Sequence, residues 1–186
     1  MKFSIGESIP RKKKVFSELI RWFEGTNHSH VFVTWKDNLG LRWVAEAKGS
    51  GVRMLSNVHF KKEAVVINVY SYEIDQDGLE SAIKYAWEQM AKAYGFKQIY
   101  GLAEMRILNK IYRMLGLKKK AKNRFTDGEA SQICSEFAVR FAEAAKKEIM
   151  VEGSLEQWGL LETQGFCNKT GVKQPREKID RINGVK

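Results

Sequence analysis

The sequence predicts a single α+β domain, a small antiparallel sheet packed against helices, and three observations carry that expectation. Apolar residues recur at helical spacing before Phe23, change to a β-branched and aromatic period of two from His30, and return to helical spacing after Asp75. The 186 residues, 44% hydrophobic and 11% aromatic, suffice for one full core. The third observation is Gln132-Ile133-Cys134-Ser135-Glu136-Phe137-Ala138, where an amphipathic helix begins on a cysteine.

Arg11-Lys12-Lys13-Lys14 reads as a basic loop, and Val15, Phe16, Leu19, Ile20, Trp22 and Phe23 follow at the spacing of a short amphipathic helix. His30 to Trp35 and Leu41 to Ala47 form a hairpin around the turn chemistry of Asp37-Asn38-Leu39-Gly40. Gly49-Ser50-Gly51 ends the second strand, Val52 to Leu55 makes a short third, and Ala64 to Tyr70 is the clearest strand of all. After Asp75-Gln76-Asp77-Gly78 a helix is expected through to Tyr94, with Leu79, Ile83, Ala86, Trp87, Met90 and Ala91 on one face. A second runs from about Leu102 to Leu115, closed by Gly116 and Lys118-Lys119-Lys120.

Thr126-Asp127-Gly128-Glu129 supplies a turn into the cysteine helix, where Ser131 is the expected N-cap and Ile133, Phe137, Val139, Phe141 and Ala145 face inward. From Gly153 onward glycine and polar residues interrupt short apolar pieces, and the charged stretch beyond Pro175 is expected to fray. Residues 1–150 are therefore read as the domain and 151–186 as a C-terminal extension, partly packed and then frayed. Internal repeats and low-complexity segments are absent from the sequence.

The formal charge of +10 and pI near 9.6 point to a partner with negative surface: a cell-wall polymer, nucleic acid or an anionic membrane face. The Lys/Arg clusters lack the interleaved aromatics that bind single strands, which favours a solvated basic surface over a nucleic-acid site. Met1 to Glu7 holds no apolar signal-peptide core, and no segment is long and apolar enough to span a bilayer. The default location is then the cytosol of the producing cell; a phage protein released by lysis or carried in a virion has the same appearance. Cys134 and Cys167 are read as free thiols, since nothing else resembles a disulfide-stapled scaffold.

A cysteine hydrolase requires a thiolate, an imidazole, a polar group that orients the imidazole, and donors for an oxyanion. Cys134 meets the first requirement, because unsatisfied N–H groups and the positive end of the helix dipole stabilise a thiolate in the first turn. Its own backbone N–H is a candidate oxyanion donor. His30, leading a strand, is the candidate base, and Glu46 on the next strand the candidate orienter. The plainer readings are a small buried cysteine, a strand-end histidine satisfied by a carbonyl, and a solvated glutamate. His28 stands further out in the Thr26-Asn27 loop and His59 in a basic loop beside Lys61 and Lys62, so His30 is preferred. No metal-ligand spacing such as CxxC or HExxH occurs, and neither a metal nor another cofactor is expected. Trp35 and Tyr94 are candidates for lining a substrate cleft.

The order of these pieces is similar to a known family. Phe16-Ser17-Glu18-Leu19-Ile20 precedes Ser29-His30-Val31; Ala45-Glu46-Ala47 and Gly51-Val52-Arg53 follow; Gln89 to Phe96 stands in the place of a helix end and aromatic turn, and Ile133 to Phe137 opens the cysteine helix. From about Phe3 to Ala145 this resembles the circularly permuted NlpC/P60 group of papain-like cysteine hydrolases, the YiiX/YaeF-like branch. The resemblance implies a permuted papain-like fold and a triad of Cys134, His30 and Glu46. It also implies either amidase activity on peptidoglycan stem peptides or acyltransferase or thioesterase activity on lipid-like substrates. A non-catalytic binding module that keeps the fold and uses its basic face on nucleic acid or an acidic protein is the alternative from outside enzymes. Two departures stand out: Phe32 sits where the family often has glycine and is expected to narrow the cleft, and the basic segment between Tyr94 and Cys134 is long enough for a lid or partner surface.

Overall fold

The computed structural model describes residues 1–90, 92–125, 131–146 and 159–183. Ala91, the Thr126-to-Glu129 turn and Gly153 lie outside the described residues. The chain order is β1 (Lys2–Pro10), α1 (Val15–Glu24), β2 (His30–Lys36), β3 (Arg42–Lys48), β4 (Gly51–Ser56), α2 (Asn57–Glu63), β5 (Ala64–Glu73), α3 (Gln76–Gln89), β6 (Ala93–Tyr94), α4 (Phe96–Met114), β7 (Ser131–Gln132), α5 (Cys134–Ala145), α6 (Leu160–Thr170), β8 (Val172–Lys173) and α7 (Arg176–Asn183). The fold is α+β. Its six-stranded antiparallel sheet has the order β4-β3-β2-β1-β5-β8, and β6 and β7 form a separate parallel pair.

The central strand, β1, was not expected. Phe3 and Ile5 alternate with small or polar neighbours, so the period-two signal is present, but nothing local shows that this segment inserts between β2 and β5. Phe3 stacks on Tyr72 at 4.8 Å and meets Phe141 of α5 at 5.5 Å, and α5 also places Phe141 against Trp35 at 5.7 Å. These aromatic contacts, with Ile5, Val31, Val33 and Ala45, make the larger core on the face covered by α5. Each fully buried apolar side chain there contributes about 1.5–3 kcal/mol.

On the opposite face Phe32, Val44, Phe60, Val66 and Ile179 form a second core. The Phe32 ring lies over Gly6, where an added Cβ would come within 2.1 Å of it, and touches the Phe60 ring at a centroid distance of 4.4 Å. Phe32 is 2% exposed and does not line the cleft, so the narrowing expected of it is replaced by a packing role enabled by Gly6.

Several boundaries move for identifiable reasons. The Asp75 side chain caps α3 by accepting from the Gly78 N–H at 2.7 Å, and the helix stops at Gln89 rather than Tyr94, leaving Trp87 61% exposed. Tyr94 belongs to β6, and α4 begins at Phe96, six residues earlier than expected. His59 lies in α2, whose N-cap is Ser56, rather than in a loop. Ser131 joins β7, and Ile133 takes the N-cap position of α5 with no side-chain cap. The end of the chain does not fray at Pro175: α7 buries Ile179, and both ends of the Asn183 side-chain amide bond the Val66 backbone at 2.8 Å. α6 likewise places Leu160, Phe166 and Cys167 in the larger core.

Candidate active site

β2 delivers His30 at its first residue, and α5 delivers Cys134 at its first. The β2–β3 ladder pairs Val33 with Ala45 and Trp35 with Trp43, and continuing that register sets Glu46 opposite Phe32. Glu46 therefore reaches His30 diagonally on the same face rather than directly across, and its Oε2 lies 2.6 Å from His30 Nε2. With Nε2 engaged by Glu46, Nδ1 is the ring nitrogen left to share a hydrogen bond with the Cys134 thiol. Glu46 is 1% exposed and the His30 side chain 17% exposed.

Glu46 is itself held by Arg53, its directly paired neighbour on β4. Arg53 donates to Glu46 Oε1 from Nε at 2.7 Å and from its terminal nitrogen at 2.5 Å. It also donates to Glu63 Oε2 at 2.8 Å, and Lys48 donates to the same oxygen at 2.5 Å. A buried carboxylate costs several kcal/mol unless paired, and the guanidinium fork meets that need while leaving Oε2 for the imidazole. Gly51, at φ +102 with the Lys92 carbonyl oxygen 2.8 Å from any added Cβ, makes the β3–β4 turn that sets Glu46 against Arg53.

The electrostatics favour a charged pair. Burial disfavours the imidazolium, but the Glu46 carboxylate and the bond to Cys134 outweigh it, and His30 is pushed up to about 10. Burial resists ionisation of Glu46 too, yet His30 and Arg53 bring it down to about 2. For Cys134, burial pushes the thiol up, while the hydrogen bond and charge of His30, the Val31 N–H and the Tyr94 hydroxyl carry it below its ordinary value. Position in the first turn of α5 acts in the same direction. The net direction is thiolate beside imidazolium.

Tyr94 Oη lies 4.0 Å from Cys134 Sγ, so this aromatic stands at the sulfur. Trp35, the other expected lining residue, is 3% exposed in the larger core against Phe141 and takes no part in the cleft. Its place on β2, five residues beyond His30, puts it on the face opposite the histidine. His28 is fully buried beside Glu7, with Nδ1 3.4 Å from Glu7 Oε2, and burial lowers it to about 4. His59 shares a hydrogen bond with Ser56 at 2.8 Å on the surface. Cys167 is fully buried, and burial with the nearby Glu7 carboxylate pushes its thiol up to about 12 against the opposing hydrogen bond from Tyr72.

A cleft of about 670 Å³ reaches His30, Glu46 and Tyr94. Its walls combine six cations, Arg11, Lys12, Lys14, Lys48, Arg53 and Lys62, with the apolar Ile9, Phe16, Ile20 and Phe96. Cys134 is 5% exposed and lines a separate void of about 20 Å³, bounded by Ile20, Ser29 and Tyr94, which also line the cleft. The sulfur thus sits one layer of side chains behind the cleft floor. Arg53 and the roles of Tyr94 and Val31 at the sulfur went unassigned in the sequence, although the symmetric Glu46-to-Arg53 span about the Gly49-Ser50 turn holds the signal for the first. No group of three or more His, Cys, Asp or Glu side chains suited to a metal occurs among the described residues. No protein-family model matches the chain, and no curated protein is significantly similar to it.

Proposed function

We propose that this chain is a cysteine hydrolase of the permuted NlpC/P60 type, working by acyl transfer from an amide to water. The observation that carries this reading is the continuous line Arg53–Glu46–His30–Cys134, in which a buried carboxylate fixes one imidazole nitrogen at 2.6 Å and leaves the other for the thiol. The chain order His30, Glu46, Cys134, with the cysteine opening a helix, supports the permuted papain-like interpretation of the fold.

In this mechanism the Ile20, Ser29 and Tyr94 layer parts to admit the scissile carbonyl, Cys134 Sγ attacks its carbon, and the oxyanion forms against the N–H groups that open α5. The His30 imidazolium then gives its proton to the leaving nitrogen as the C–N bond breaks, which leaves a thioester. Water attacks the thioester while neutral His30 takes its proton, and the C–S bond breaks to return the thiolate. Glu46 stays ionised throughout and holds the ring.

Beyond Arg53 and Lys48, which Glu46 and Glu63 engage, the Arg11, Lys12, Lys14 and Lys62 side chains around the cleft favour a substrate carrying carboxylates or phosphates, and the acidic stem peptides of peptidoglycan are the first substrate proposed. The apolar wall of Ile9, Phe16, Ile20 and Phe96 supports a second reading, a thioesterase or acyltransferase acting on an anionic lipid-like ester. Incubation of the purified chain with muropeptides and with acyl esters tests both. Amide cleavage lost in both Cys134→Ala and His30→Ala is the expected result; ester turnover without amide cleavage selects the second reading, and turnover unchanged in both variants overturns the proposal.

A further inference from the structure

α1 carries apolar residues on two sides: Ile20 is 7% exposed in the larger core with Phe23 packed against it, and a second set faces outward. Its polar Ser17 and Glu24 are buried, at 8% and 4% exposure, while Val15, Leu19 and Trp22 face solvent at 88%, 50% and 72%. At 100° per residue the three solvent-facing residues fall within a 60° sector, one continuous apolar stripe. Glu24 faces inward, 3.4 Å from Arg106 of α4, and together with the burial of Ile20 this sets the rotation of the helix and leaves the Val15, Leu19 and Trp22 stripe outside.

α4, against which α1 packs, repeats the pattern. Gln98, Ile99, Leu102 and Met105 are buried on one side. On the other, Tyr100, Ile107 and Ile111 are 73%, 46% and 43% exposed at intervals of seven and four residues. α1 and α4 pack on each other, and each leaves an apolar stripe pointing away from its own buried side, with no covering element among the described residues.

The charge around the stripes identifies what covers them. Lys12, Lys13 and Lys14 lead into α1, and the exposed Lys118, Lys119 and Lys120 follow α4. Residues 96–125 contain nine Lys and Arg against the single Glu104, which Arg124 already engages. Apolar and aromatic side chains ringed by lysines match the interface of an anionic bilayer, where Trp and Tyr lie at headgroup depth and Lys meets phosphate. Among the described residues no helix is long and apolar enough to cross a membrane.

We propose that the α1–α4 face docks the protein on anionic lipid membranes, with Val15, Leu19, Trp22, Tyr100, Ile107 and Ile111 entering the interface. Phe16 and Phe96, 6.3 Å apart by ring centroid, line the catalytic cleft beside these stripes, so a docked chain presents the cleft mouth to the membrane boundary. Docking does not depend on Cys134 and stands or falls apart from the hydrolase reading.

Co-sedimentation of the full chain with phosphatidylcholine vesicles, with and without phosphatidylglycerol, tests the proposal. Binding is expected only with phosphatidylglycerol, falling as salt rises, and unchanged in Cys134→Ala. Trp22→Ser combined with Ile111→Ser should lower partitioning about tenfold or more, and Lys118, Lys119 and Lys120 changed to Glu should do likewise, whereas Trp87→Ser on α3 leaves it unchanged. Because all these sites are exposed, circular dichroism of each variant should match wild type. Absence of binding to either vesicle, or binding insensitive to Trp22 and Ile111, overturns the proposal. So does a stable dimer, by light scattering, that the Trp22 and Ile111 changes dissolve, since the face is then a self-interface.

Discussion

Glu46 and His30 form the decisive pair of this molecule: a carboxylate 1% exposed meets an imidazole nitrogen at 2.6 Å, diagonally across two strands whose ladder has already ended. Because Arg53 occupies the other carboxylate oxygen, Glu46 can neither rotate away nor take up a proton readily. The ring orientation, and with it the nitrogen offered to Cys134, follows from that arrangement.

Cys134 should alkylate as a thiolate well below the ordinary thiol range. Iodoacetamide rates followed by intact mass across pH should show reactivity persisting below pH 9 in wild type. In His30→Ala the profile moves upward, because burial is then opposed only by the weaker contributions of the Val31 N–H, the Tyr94 hydroxyl and the helix start. Cys167, pushed up to about 12, stays unmodified under native conditions, which Cys134→Ser protein checks directly.

Removing the charge but not the shape of Glu46 should separate orientation from electrostatics. Glu46→Gln keeps an acceptor near Nε2 and abolishes the carboxylate, so His30 titrates below about 10 and turnover falls by about 10²-fold or more. Histidine NMR resonances against pH measure the first effect and steady-state kinetics the second. Arg53→Met should give a smaller decrease in the same direction, since it leaves Glu46 in place but frees one oxygen.

The same pair gives stability a definite pH window. His30, raised to about 10 from 6.5, contributes stability that is complete below pH 6.5 and disappears as pH rises through 10; Glu46, lowered to about 2 from 4.5, contributes stability complete above pH 4.5 and lost as pH falls toward 2. Urea midpoints at intervals of pH should show both flanks in wild type and a flattened alkaline flank in His30→Ala.

Tyr94→Phe should change activity more than stability. The hydroxyl lies 4.0 Å from the sulfur and helps hold the thiol low, while the ring packs on Phe96 at 5.0 Å and survives the substitution. A fall in kcat with a Tm within about 2–4 °C of wild type is expected, the shift that corresponds to about 1 kcal/mol in a domain of this size.

The final helix should prove structural. Ile179→Ala empties a position 2% exposed against Phe32 and Phe60, and a loss of about 2–5 kcal/mol in chemical denaturation follows from the cavity. A variant ending before Pro175 should lose more, since it also removes the Asn183 bonds to Val66.

Local chemistry announced much of this chain. The hairpin around Asp37 to Gly40, the strand from Ala64 and the helix opened by Cys134 were all legible, because period, turn residues and β-branching act over a few neighbours. His30, Glu46 and Cys134 could be selected for the same reason: each lies at a position where its element's geometry favours its chemistry. Tertiary structure alone decided which way amphipathic pieces turned. α1 reads as an amphipathic helix of Val15, Phe16, Leu19, Ile20, Trp22 and Phe23, but which of these is buried was settled by packing: Ile20 enters the larger core and Glu24 meets Arg106, 82 residues away in the chain, while Val15, Leu19 and Trp22 face solvent. Lys2–Pro10 reads as an unremarkable N-terminus and becomes the central strand through pairing with partners as far away as Glu73. Trp35 and the stretch beyond Pro175 were misread alike, since burial is a property of what arrives from elsewhere in the chain. Sequence determined the elements and the reactive set; the distances that make that set a site exist only where β1, β2, β3 and α5 converge.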